Sequence, residues 1–146
     1  MIDDDIEGSR EERAFRQWIN SLGIEDVFIN NLYEDLRDGL VLLKVIHKIN
    51  PTLVQWDKVT KKPRNIFEKG HNCELALSAA KQLKEVKIAF IGNSDIRDGN
   101  KKLILAVVWQ LCRVHFLQII GSKTEADLLK WVSQIDQVKT FNDKKF

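Results

Sequence analysis

The chain carries almost no excess charge of either sign: 23 lysines and arginines stand against 21 acidic residues over 146 positions. A general nucleic-acid binder shows a marked basic excess, so that class is not expected, and any electrostatic function must reside in local patches. Cysteine is scarce as well. Cys73 and Cys112 both fall inside helical patterns, which argues against a disulfide framework and for small buried apolar side chains. The opening Met1-Ile2-Asp3-Asp4-Asp5 has none of the character of a secretion signal, so a reducing, cytoplasmic compartment is expected. The longest apolar run, Leu103 to Trp109, is too short to span a bilayer, and no membrane partner is expected.

A catalytic constellation is also missing. His47, His71 and His115 are scattered, and His71 with Cys73 supplies two ligands where zinc needs more. There is no Gly-rich phosphate loop and no nucleophile motif. Neither Asp3-Asp4-Asp5 nor Asp95-Ile96-Arg97-Asp98-Gly99 has the alternating ligands and terminal glutamate of a calcium loop. These absences predict no enzyme, no cofactor and no metal site.

What is present is an ordinary globular composition, 44% hydrophobic and 30% charged, arranged with helical periodicity. Residues 1–8 are acidic and aperiodic, and are expected to be a disordered lead-in. Ser9-Arg10-Glu11-Glu12 reads as a capping box, followed by Phe15, Trp18, Ile19 and Leu22 on one helical face, with Gly23 as the stop. A second helix is predicted over Leu40 to Ile49, opened by Asp38-Gly39 and ended by Asn50-Pro51. After an irregular basic loop, Asn65 to Leu83 reads as a third, with Cys73, Ala76, Leu77, Ala80 and Leu83 buried. Val86 to Ile91 is a short apolar segment and Gly92 to Asn100 a loop.

The next helix, from Lys101 to about Gln118, is apolar on nearly every face, which marks a core element. Its one polar edge runs through Lys102, Ala106, Gln110 and Arg113. Trp109 is expected to anchor the core. Thr124 to about Ile135 is a further amphipathic stretch, carrying Leu128, Leu129, Trp131, Val132 and Ile135. The fold class is therefore all-α: a compact bundle of four main helices plus short connecting helices.

Three segments together carry a family resemblance: Asp35-Leu36-Arg37-Asp38-Gly39-Leu40-Val41-Leu42-Leu43, then Asn72 with Ala76, then Asp95 to Leu103 leading into Val108-Trp109-Gln110-Leu111. In order and spacing, across Arg10 to Leu117, they resemble a calponin-homology domain. Arg10 to Arg16 with Trp18-Ile19-Asn20-Ser21-Leu22-Gly23 is similar to the third repeat of the fimbrin/plastin family. Ala126 to Val132 with Thr140 to Lys144 looks like the opening of the fourth. The resemblance implies a domain over residues 9–120, with 121–146 a linker and the first helix of a truncated second domain.

The same resemblance implies an actin-filament-binding module of a crosslinking protein, monomeric, with actin filaments and an adjacent repeat as partners. Carried over by position, it gives Arg10, Arg13 and Gln17 on the opening helix, and Lys101, Lys102, Gln110 and Arg113 on the last main helix. It adds Leu128 and Trp131 on the stretch that follows, and the basic loop Lys58, Lys61 and Lys62. The alternative is a single domain of this family serving microtubules or acting as a regulatory scaffold.

Overall fold

The computed structural model describes residues 2–84 and 86–121, the first eight of them by backbone alone. Its helices are α1 (Ile2–Ser21), α2 (Leu32–Asp35), α3 (Leu40–Ile49), α4 (Ile66–Lys81), α5 (Asn93–Arg97) and α6 (Lys101–Gly121). Two single 3-10 turns, Pro51–Leu53 and Trp56–Lys58, connect α3 to the loop before α4. Among the described residues there is no strand, so the all-α expectation holds. The chain divides into two units, residues 1–114 and 115–146, and all that follows on packing concerns the first.

Local chemistry accounts for most boundaries. Asn50 ends α3 and its side chain accepts from the Thr52 amide, while Pro51 cannot continue the helix. Asn65 caps α4, its Oδ1 accepting from the Glu68 amide at 2.9 Å. Asn100 caps α6, accepting from the Leu103 amide at 3.1 Å. Two expectations fail. Helix α1 begins at Ile2, so the chain passes through Ser9 as helix and the predicted lead-in and capping box are replaced by a longer helix. An acidic run suits the positive end of a helix dipole, which is the physical reason an aspartate-rich opening is compatible with helix. The Gly92 to Asn100 stretch contains α5, whose five residues are too few to show periodicity.

The core is built by Leu42, Leu43, Val45 and Ile46 of α3, Cys73, Ala76, Leu77 and Ala80 of α4, and Ile104, Val107, Val108 and Leu111 of α6. Ile19 of α1, Leu32 of α2 with Leu36 just after it, and Ile96 of α5 close it. By length and composition α6 could cross a membrane, contrary to the reading of its apolar run, but one face of it is spent in this core.

The tightest approach is between the start of α3 and the middle of α4. Gly39 caps α3 at φ +79°, and a Cβ built there would lie 2.7 Å from the Asn72 carbonyl carbon and the Cys73 nitrogen. Asn72 is itself fully buried and locks the preceding loop in both directions: Oδ1 accepts from the Thr60 amide at 2.9 Å and Nδ2 donates to the Thr60 carbonyl at 2.8 Å. Next to it, the Cys73 thiol donates to the Arg37 carbonyl at 3.3 Å. Burial, with the charge of Asp38 nearby, pushes that thiol up to about 12.

Gly39→Ala should cost about 2–5 kcal/mol, the left-handed strain plus an overpacked backbone contact, measured by urea denaturation. Gly23→Ala is the control. It shares a positive φ of +67° but meets nothing within 4 Å, so strain alone, about 1–2 kcal/mol, is expected. Because the folded Cys73 thiol ionises above the unfolded value, it adds stability that is complete below about pH 9 and lost as pH rises toward about 12. Accordingly neither it nor Cys112, whose pKa burial also raises, should react with a disulfide reagent near about pH 8 until denaturant is added.

Candidate functional site: a groove between the first and last helices

Helix α1 turns Trp18 and Ile19 inward, leaving Arg10, Arg13 and Gln17 exposed. Glu12 is committed elsewhere. Its Oε1 pairs with Arg16 Nε at 2.8 Å and accepts from the Leu32 amide at 3.2 Å, tying α1 to α2. Between these lines lie Glu11 and Phe15, one turn apart.

Helix α6 is aimed by the loop in front of it. Arg37 Nε donates to the Arg97 carbonyl at 2.8 Å, and Gly99 takes φ +77° to swing the chain into the new axis. Arg97 donates to Asp98 at 3.0 Å, and that hydrogen bond holds the Asp98 carboxyl below its ordinary range. With Ile104, Val107, Val108 and Leu111 facing the core, the opposite face carries Lys102, Leu105, Ala106 and Trp109 at helical spacing.

These two faces border one shallow groove of about 480 Å³, lined by Glu11, Phe15, Lys102, Leu105, Ala106 and Trp109. The Phe15 and Trp109 rings meet at its floor, centroids 6.2 Å apart and tilted by 45°. Trp109 is 53% exposed, so it does not anchor the core as expected. A helix apolar all round offers no moment to orient it, and Trp109 shares its face with Lys102 and Arg113. Leu105 is half-buried at the groove and Ile104 fully buried.

The structure thus brings the two helical candidate segments to one place, but not every residue within them. Lys102 lines the groove and Arg113 is exposed on the same helix, whereas Gln110 is half-buried. Lys101 turns away, its Nζ lying 5.5 Å from the centroid of the Tyr33 ring. Lys58, Lys61 and Lys62 are exposed on a separate loop, and none of them lines the groove. Leu128 and Trp131 lie outside the described residues. Sequence reasoning placed Phe15 and Trp109 in the core, where the structure has them half-buried and exposed, and left Leu105 open between core and contact. The signal was present in their spacing with Glu11 and Lys102, but nothing in the sequence says that α1 and α6 are neighbours. Among the described residues, no group of three or more His, Cys, Asp or Glu side chains is placed to hold a metal.

Residues 9–116 match the calponin homology (CH) domain family. Among curated relatives, Fimbrin-5 of Arabidopsis thaliana is 41% identical over 99% of this chain and 23% of its own length. Fimbrin-2 of the same plant is 45% identical over 89% of this chain and 21% of its own. Human Plastin-3 is 37% identical over 95% and 25%. A crystal structure of the actin-crosslinking core of Schizosaccharomyces pombe fimbrin superposes with a TM-score of 0.74 at 36% identity, covering 86% of this chain and 28% of that one. The chain therefore spans between a fifth and a quarter of the length of these curated relatives.

The revised position of Trp109 changes its expected cost. Trp109→Ala should lower unfolding free energy by less than about 2 kcal/mol, the contribution of a half-exposed ring. Ile104→Ala, on the buried face, should lower it by about 2–5 kcal/mol. Guanidinium denaturation of both variants checks this order, and the reverse order would return Trp109 to the core.

Proposed function

The chain belongs to the calponin homology domain family, its domain being of the fimbrin/plastin kind, and from that premise we propose that it binds actin filaments as one module of an actin-crosslinking protein. The observation that carries this reading is the groove shared by α1 and α6. The two helices singled out as filament-binding by family resemblance are the two that border it, and half-buried Phe15 and exposed Trp109 lie between them. Arg10, Arg13, Lys102 and Arg113 are the contacts for an acidic filament surface, with Gln17 and Gln110 beside them and Lys101 at the helix start. Cations exposed to solvent raise the association rate and make binding weaken with salt. The aromatic pair supplies the apolar contact from which affinity comes.

On this reading the domain corresponds to the third repeat of the family's proteins. Residues 121–146 then open the fourth, with Leu128 and Trp131 as a third contact segment and the adjacent repeat as a partner. Lys58, Lys61 and Lys62 form an outlying basic contact. The chain acts as a monomer in the cytoplasm, on the actin cytoskeleton, without catalysis. A chain carrying little more than one repeat should bind filaments more weakly than a tandem pair and should bundle them poorly.

High-speed pelleting with filamentous actin, at low and moderate salt and with microtubules in parallel, tests this. The chain should pellet with actin and less so as salt rises. Lys102→Glu combined with Arg113→Glu should weaken binding about tenfold or more, ~1.4 kcal/mol, with an unchanged melting temperature. A folded chain that stays in the supernatant with actin at both salts ends the proposal, and pelleting with microtubules alone moves the domain to the scaffold class.

A further inference from the structure

Away from the groove, the chain makes an exposed corner at residues 61–67, where every residue but Pro63 is exposed. Two of them are large and apolar: Ile66 is 50% and Phe67 81% exposed. Lys61, Lys62 and Arg64 precede them, with Lys58 and Lys69 to either side. Acidic residues on this stretch are Asp57 and Glu68, and the Glu68 carboxylate is engaged by Arg64 at 3.4 Å.

The corner is held in shape rather than loosely attached. Buried Asn72 binds Thr60 through both its amide atoms, His71 Nε2 lies 3.1 Å from the Lys58 carbonyl, and Asn65 caps the helix that carries Phe67. Phe67 is therefore presented to solvent by an ordered backbone, at the hydration cost of a free aromatic surface.

We propose that this corner docks the protein onto an anionic membrane surface, with Ile66 and Phe67 entering the headgroup boundary and Lys61, Lys62 and Arg64 facing the lipid phosphates and carboxylates. The inference does not rest on the actin reading, which uses Lys61 and Lys62 only as an outlying contact. A protein partner would have to supply a pocket fitted to a single protruding ring, whereas the fluid boundary of a bilayer admits any protruding apolar side chain. The charge is complementary to anionic headgroups, and each cation near such a surface adds to the attraction. The shortness of the run from Leu103 to Trp109, on which the expectation of no membrane partner rested, does not bear on a local peripheral contact of this kind.

The whole chain should sediment with vesicles of phosphatidylcholine and phosphatidylserine in equal parts, and not with phosphatidylcholine alone. Phe67→Ser should reduce that binding about tenfold. Lys61→Glu with Lys62→Glu should reduce it by about tenfold or more. Both variants should melt with the parent, since the substituted side chains are exposed. A parent chain that stays in the supernatant with the anionic vesicles overturns the proposal, as does undiminished binding by Phe67→Ser. Two further results would assign the corner elsewhere and overturn it equally. One is a dimer in ultracentrifugation that Phe67→Ser dissociates. The other is a loss of actin pelleting in Phe67→Ser without any vesicle binding by the parent.

Discussion

The contact between the Gly39 backbone and the backbone of α4 at Asn72 and Cys73 is the constraint on which the rest of this domain depends. It brings the start of α3 to the middle of α4 at a distance only a residue without a side chain allows. Several other connections start from the same place. Asn72 reaches outward to hold Thr60 and the basic loop, and Cys73 reaches across to the Arg37 carbonyl. Arg37 then donates to the Arg97 carbonyl, at the end of the short helix from which α6 departs. A single backbone contact is thus linked, through side chains of intermediate length, to both surfaces on which a partner is proposed here. Gly70 adds to the same arrangement. It is buried on α4 with Asn93 and Arg97 of α5 close by, so the residue that weakens α4 as an isolated helix is the one that lets α5 approach.

Much of this was legible in the residues. Helices α3 and α4 have chemical punctuation at their ends, Asn50-Pro51 and Asn65, and their apolar positions repeat at helical intervals, so their extents follow closely from composition and spacing. The start of α1 did not, because a run of acidic residues is compatible both with a solvated tail and with a helix N-terminus, and the later Ser-x-x-Glu pattern offered a second plausible start. Helix α5 is a single capped turn with no repeat to detect.

The candidate site was half legible for a more general reason. Polar residues on α6 announce which edge reaches water, and Lys102 and Arg113 lie there as their spacing implies. An aromatic residue gives no such signal on a helix that is apolar on every side. Whether Trp109 faces the core or the surface depends on how much room α3, α4 and α1 leave, which is a property of the packed assembly and not of the helix. The adjacency of α1 and α6 is likewise tertiary: about ninety intervening residues separate Phe15 from Trp109 in sequence, yet their rings meet. Family resemblance pointed to the two helices separately. The fold supplies the reason they act as one surface.

The half-exposed indole at the groove also gives the molecule a built-in optical signal. Of the tryptophans among the described residues, Trp18 is buried and Trp56 is half-buried against His47, while Trp109 is the exposed one. An indole in water emits at longer wavelength than one enclosed by protein. Any partner that covers the groove therefore changes the colour of light from this one ring, while the emission of the enclosed tryptophans reports that the fold beneath it is unaltered.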